Sequence, residues 1–170
     1  MGDNADIMMK KMSIHAVPFI IFSAGIGTII EMYLRHKFGR VESNTHIVSN
    51  MMGFDADGYV SSFSEPLIHV FCKNSSVIPA DVTFSDQIHG RRNVILMGDS
   101  VGDAFMDVGV EEEQLSLKIG FVNHDVDKLV DKYLNYFDIV LVLDQSMDVP
   151  NQILEAIYAT AASAAAAAAH

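Results

Sequence analysis

Two apolar runs, each ending in small or acidic residues, constrain this chain more than any other feature. Val17–Ser23 is apolar along its whole length and ends in Ser23-Ala24-Gly25. Asn93–Met97 repeats the arrangement and ends in Gly98-Asp99-Ser100. A strand with no polar alternation has both faces covered, which is the condition of a strand inside a parallel sheet. Helical spacing follows the first run. Ile26, Ile29, Ile30, Tyr33 and Leu34 share one face of Ile26–Lys37, and Gly39 marks its end.

The same alternation continues. Thr45–Met52 reads as a strand. Asp55–Gly58, between Met51–Phe54 and Tyr59–Phe63, reads as a hairpin turn, and Leu67–Phe71 as a short extended run. Leu115–Phe121 and Ile139–Leu143 are further strands. Val126–Tyr136 carries Val126, Leu129, Val130, Tyr133 and Leu134 at helical spacing, and Val149–Tyr158 begins a helix with Pro150 in its first turn. Strands and helices in this order predict an α/β domain with a mainly parallel, Rossmann-like sheet.

Composition narrows the function. The 170 residues fit one domain with a full core. Eleven Lys and Arg against 22 Asp and Glu give a net charge of -11, which argues against a nucleic-acid polymer as partner. Cys72 is the only cysteine, so a disulfide scaffold is excluded. The longest apolar stretch, Val17–Ile30, is too short to span a bilayer and holds Pro18, Gly25 and Gly27. Asp3 and Asp6 spoil the basic region that a signal peptide would need. A reducing, cytoplasmic setting without membrane contact is the expectation. Residues 1–158 form the predicted domain. Residues 159–170 are an alanine-rich tail, either a cloning-derived addition or an extension of the last helix.

The strand ends hold the chemistry. At Ser23-Ala24-Gly25 a hydroxyl meets free N–H groups at a helix start, which makes an anion site; an ordinary strand–turn–helix corner has the same look. Leu96–Asp103 delivers two carboxylates, Asp99 and Asp103, on a Gly-bearing loop, which suits a hard cation that takes oxygen ligands; a helix N-cap at Asp99 or Ser100 is the alternative. Asp107 and Glu111–Glu113 read as a solvated acidic face. Lys73 follows an apolar strand and is a surface lysine unless a phosphate needs its charge. No histidine pair has metal-ligand spacing, and Cys72 reads as a core residue.

Taken in order, strand-Ser, Lys and GDSxxD resemble the back half of a haloacid dehalogenase superfamily phosphohydrolase. The segments VPFIIFSAGIGTIIE, HIVSNMMGFDADGYVSSF, LIHVFCKN, NVILMGDSVGDAFM and KIGFVNHDVDKLVDKY resemble the pyrimidine 5′-nucleotidase (cytosolic 5′-nucleotidase III) family. The likeness runs from about Ile14 to Ile157. It implies Mg²⁺-dependent hydrolysis of nucleoside 5′-monophosphates, pyrimidine or methylated guanosine. It further implies Ser23, with the backbone of Ala24 and Gly25, as the phosphate cradle and Lys73 as the catalytic charge-neutralising lysine. Asp99 and Asp103 become metal ligands, direct or through water, with Ser100 in support.

One departure is large. The family's DxDxT strand, whose first Asp attacks phosphorus, has no counterpart in these residues. Asp3-Asn4-Ala5-Asp6 follows no apolar strand, and Asp55-Ala56-Asp57 lies in the hairpin. By the resemblance, that strand and a base-reading cap lie ahead of this segment, so the chain reads as the C-terminal part of a longer enzyme and is expected to be inactive alone. The resemblance puts the missing strand between the strands ending at Ser23 and Asp99. Its place is then expected to be taken by direct pairing of those two, by self-association with another chain, or by a complementing N-terminal fragment. The alternative is a non-catalytic module that keeps the phosphate and Mg²⁺ site and acts through a partner.

Overall fold

The structure, a computed structural model, describes residues 3–69, 86–108 and 114–168. Its elements alternate as the apolar runs require. Helix α1 (Ala5–Ile14) is followed by β1 (Phe19–Ile26), α2 (Gly27–Phe38), β2 (Thr45–Asn50), β3 (Met52–Phe54) and β4 (Val60–Phe63). Then come β5 (Asn93–Gly98), a 3₁₀ turn (Val101–Phe105), β6 (Leu115–Val122), α3 (Val126–Leu134), β7 (Ile139–Val142) and α4 (Asp148–Ala168). The α/β expectation holds. Among the described residues, five of the seven strands pair in parallel and only β3–β4 is antiparallel.

The strands form three separate ladders among the described residues: β1–β2, β3–β4 and β5–β6–β7. In the last, β6 lies between its neighbours with Gly98 opposite Gly120 and Ile119 opposite Ile139. β1 and β5 do not pair with each other, so direct pairing is not the arrangement this chain adopts. Among the described residues each leaves one backbone edge without a strand partner.

Two apolar clusters set these pieces in place. Leu96, Ala104, Val122, Tyr133 and Phe137 pack β5, the 3₁₀ turn, β6 and α3 together. Met8, Met12 and Leu154 join α1 to α4, and Phe19, Ile95 and Met97 pack against them, so both inner strands rest on the same helical layer. Side chains at positions 8 and 12 lie one turn apart on a helix, which aligns them on one face. That N-terminal helix was not expected from the sequence. Polar ties hold it to α4: Asn4 donates to Asp148 at 2.7 Å, Asn151 donates to the Asn4 carbonyl at 3.1 Å, and Lys11 pairs with Glu155.

Local turns follow their residues. Gly39 takes a φ of 79° at the end of α2, where a left-handed residue is needed. In the β3–β4 hairpin the Asp55 side chain accepts from the N–H groups of Asp57 and Tyr59 at 3.0 and 2.9 Å, and Gly58 takes a φ of 85°. The last helix runs on through Ala168, so the alanine tail continues α4.

Candidate active site

The end of β1 leaves its ladder at the residues singled out for anion binding. Phe22 pairs with Val48 and Ile26 with Asn50, so four steps on β1 face two on β2. The excess is a bulge at Ser23-Ala24-Gly25, a feature that re-aims side chains and recurs beside functional sites. The displaced carbonyls find side-chain partners. Asn50 Nδ2 donates to Ala24 at 3.0 Å and to Gly25 at 3.2 Å, and Ser49 Oγ donates to Gly25 at 3.0 Å. Asn50 also exchanges bonds with Ile68, giving to its carbonyl at 2.9 Å and accepting from its N–H at 2.8 Å. One amide thus ties the bulge to the segment that follows the hairpin.

Inside the bulge the Gly25 N–H donates to Ser23 Oγ at 3.1 Å. The hydroxyl therefore accepts within its own loop and keeps its proton free to give to an anion. Gly27 opens α2 with no room for a side chain: a Cβ there would stand 2.9 Å from Ser49 Cβ and nearer still to Met51 Sδ. The first turn of α2 carries no acidic residue and Ile26 supplies no side-chain cap, so the positive end of the helix is not neutralised locally. A cleft of about 300 Å³ opens beside the bulge, lined by Ala24, Gly25, Ile26, Asn50, Phe63 and Leu67.

The end of β5 is organised by Asp103. That residue is buried, at 3% exposure, and its Oδ2 accepts from the N–H groups of Asp99 and Ser100 at 3.2 and 3.1 Å. The N-cap alternative holds at Ser100 and not at Asp99: Ser100 caps the 3₁₀ turn, and the Asp103 carboxylate reaches back to its N–H to close a capping box. Gly98 is sterically required, since a Cβ would lie 2.8 Å from Asp103 Oδ2 and closer to Asp103 Cβ. Asp99 itself is exposed, and its carboxylate has no hydrogen-bond or ion-pair partner among the described residues. Ser100 Oγ is buried at the N-cap, facing the Asp103 N–H of the capping box. From α3 the Tyr133 hydroxyl donates to the Asp99 carbonyl at 2.5 Å. Burial holds that phenol above its ordinary value, and the charges of Asp99 and Asp103 push the same way.

Asp107 is not part of a solvated acidic face. It is buried, accepts from Ser116 at 2.6 Å, and pairs with Lys118 at 2.8 Å. Lys118 also donates to the Ala104 carbonyl at 2.7 Å, which braces the 3₁₀ turn against β6. Burial of a carboxylate is tolerable here because a cation and a hydroxyl both serve it. Glu111–Glu113 and Lys73 lie outside the described residues.

The structure therefore gathers Ser23, Ala24 and Gly25 into one loop and Asp99, Ser100 and Asp103 into another. No hydrogen bond joins the two loops among the described residues. Asn50 and Tyr133 are the residues that sequence reading passed over. A polar Ser49-Asn50 pair closing an apolar strand was the available signal for the first; helical spacing gave Tyr133 a place in the core but no task for its hydroxyl.

No cluster of three or more His, Cys, Asp or Glu side chains placed to hold a metal occurs among the described residues. The donor set still fits Mg²⁺, which takes few protein ligands, prefers carboxylate oxygen, and keeps water and phosphate in its remaining positions. The Asp99 carboxylate, unpartnered among the described residues, and the Ser100 hydroxyl are oxygen donors of that kind.

The family model for pyrimidine 5′-nucleotidase (UMPH-1) matches residues 1–158. A Caenorhabditis elegans protein described as a cytosolic 5′-nucleotidase 3 is 47% identical over 157 residues, covering 91% of this chain and 42% of that protein. The human 7-methylguanosine phosphate-specific 5′-nucleotidase is 45% identical over 141 residues, covering 83% and 46%. The crystal structure of cytosolic 5′-nucleotidase IIIB bound to cytidine superposes with a TM-score of 0.81 at 36% identity, covering 91% of this chain and 51% of that one. The chain thus spans about half the length of the relatives it matches.

Proposed function

This chain belongs to the pyrimidine 5′-nucleotidase family, with its haloacid dehalogenase type of fold, and on that premise we propose that it supplies the phosphate- and Mg²⁺-binding part of a 5′-nucleotidase. The reaction is hydrolysis of a nucleoside 5′-monophosphate to nucleoside and phosphate. The names of the relatives support pyrimidine or 7-methylguanosine nucleotides as substrates and a cytosolic setting.

The observation that carries this reading is the pair of prepared strand ends, one offering a hydroxyl and the other an unpartnered carboxylate on a braced loop. In the proposed mechanism Ser23 donates its free proton to a phosphate oxygen, and the backbone of Ala24 and Gly25, held by Asn50, shapes the cradle. Lys73 neutralises phosphate charge. Asp99 would hold Mg²⁺, with Ser100 beside it and Asp103 fixing the loop. When bound, the ion supplies positive charge to the phosphoryl oxygens. Phosphoryl transfer depends mainly on positioning and on such charge stabilisation, which is what these residues offer.

The 170 residues hold no DxDxT segment, and among the described residues β1 and β5 each have one edge without a strand partner. Both support a nucleophile-bearing strand supplied from outside them, and covalent phosphoryl transfer requires that nucleophile. The test is phosphate release from UMP, CMP and 7-methyl-GMP, with and without EDTA. The pure chain is measured alone and after co-expression with the portion of a relative that it does not cover. EDTA-sensitive release only in the complemented sample is expected, and Asp99→Asn should abolish it. Turnover by the chain alone would overturn the incomplete-site reading. The absence of turnover in both samples would favour a binding module without catalysis.

A further inference from the structure

Tyr133 sits 4% exposed on the inner face of α3 and stacks on Phe137, with ring centroids 5.4 Å apart. Burial alone would satisfy the apolar spacing of the helix. The hydroxyl does something that spacing does not ask for: it crosses to a residue 34 positions away and donates to the Asp99 carbonyl at 2.5 Å. On the other side of the same residue, the Asp99 N–H is held by Asp103 at 3.2 Å.

We propose that Tyr133 is a positioning residue for the divalent cation, fixing the peptide after Asp99 and so the direction in which its carboxylate leaves the backbone. This rests on Asp99 being the cation ligand. Both peptide planes that flank Asp99 are pinned: Asp103 holds the N–H of each, and Tyr133 alone holds the carbonyl of the second, while the carboxylate between them is unpartnered among the described residues. A ligand whose backbone is set in advance loses less freedom when it binds, which raises affinity without adding a contact to the ion. The ring has little room to swing. Gly120 on β6 lies so close that a Cβ would stand 3.0 Å from Tyr133 Cδ1 and 2.8 Å from Phe137. The loop is braced at its far end as well, where Lys118 holds the Ala104 carbonyl.

A hydroxyl that had merely found the nearest carbonyl would contribute to stability and not to cation affinity. The two roles separate in a Mn²⁺ titration of the 170-residue chain, followed by water-proton relaxation, with the unfolding midpoint of each variant measured alongside. Asp99→Asn is expected to abolish specific binding. Tyr133→Phe, which removes only the hydroxyl, is expected to weaken Mn²⁺ about tenfold, as loss of a group orienting a metal ligand commonly does. Phe137→Leu loosens the same packing without touching the hydroxyl; it should lower the midpoint and leave Mn²⁺ affinity within about twofold of the parent, since it orients no ligand. If Tyr133→Phe binds as tightly as the parent, or no more weakly than Phe137→Leu, the positioning role is wrong. If the parent does not bind Mn²⁺, or Asp99→Asn binds as it does, the ligand assignment fails and the positioning role goes with it.

Discussion

Gly98→Ala probes the steric arrangement on which the acidic loop depends. The new methyl would lie 2.8 Å from Asp103 Oδ2, 3.0 Å from Asp103 Cγ, and nearer to Asp103 Cβ. No left-handed φ is recorded for Gly98, so backbone conformation is not the obstacle. Asp103 has nowhere to retreat, being 3% exposed and holding two N–H groups. Overpacking of this kind costs about 1–3 kcal/mol. Moving the carboxylate off one N–H gives up a charge-assisted bond worth about 1.5–3 kcal/mol. Alanine restores about 0.4–1 kcal/mol by restricting the unfolded chain. The net loss is about 2–5 kcal/mol, or roughly 4–20 °C in Tm for a chain of this size. Urea unfolding gives the energy, and amide exchange at Asp99 and Ser100 reports whether the carboxylate has let go. A loss below about 0.5 kcal/mol with protection intact would refute the claim that Gly98 is required by Asp103.

Other substitutions test other parts. Lys118→Met leaves Asp107 buried and unpaired and should cost about 3–5 kcal/mol, while Lys118→Met with Asp107→Leu should recover most of it in urea unfolding; equal losses would show that the pair is not what the site depends on. Asn50→Ala strips the bulge carbonyls and Ile68 of their partner and should cost about 1–3 kcal/mol, with phosphate affinity falling in calorimetry and Mn²⁺ affinity unchanged; a fall in both would place Asn50 elsewhere in the scheme. Tyr133 has its folded-state value raised, so its contribution is complete below the ordinary phenol value of about 10 and is lost as pH rises through the folded value. The stability gap between the parent and Tyr133→Phe should therefore narrow between pH 8 and strongly alkaline pH, and a constant gap would contradict the burial of that phenol.

Much of this architecture was legible in the order of apolar runs. Continuous hydrophobicity in FIIF and NVILM placed β1 and β5, and the residues at their ends marked where polar groups gather. The turn residues did the same for Gly39 and the Asp55–Gly58 hairpin, because their conformations are set locally. What escaped was long-range. Asp107 sits four residues past Asp103 in an acidic stretch, and only the fold brings Lys118 and Ser116 to it. The helix at Ala5–Ile14 was hidden because Lys10 and Lys11 interrupt its methionines, whose burial depends on α4. The bulge at Ser23–Gly25 carries the first strand to Ile26, past the end of its apolar run at Ser23, since Asn50 captures the carbonyls that the ladder drops. The family likeness raised Ser23 and Asp99 above ordinary corners; a hydroxyl or a carboxylate at a strand end does not declare a ligand by its spacing.

The proposed reaction needs an anion and a cation in one pocket, so the decisive measurement is how each affects the other's binding. Inorganic phosphate is titrated calorimetrically into the chain at saturating Mg²⁺ and again in EDTA, for the parent, Ser23→Ala and Asp99→Asn. Coupling free energies between linked sites run at about 1–3 kcal/mol, so Mg²⁺ should tighten phosphate at least about fivefold in the parent and in neither variant. Phosphate affinity in the parent that is the same with and without Mg²⁺ would contradict it.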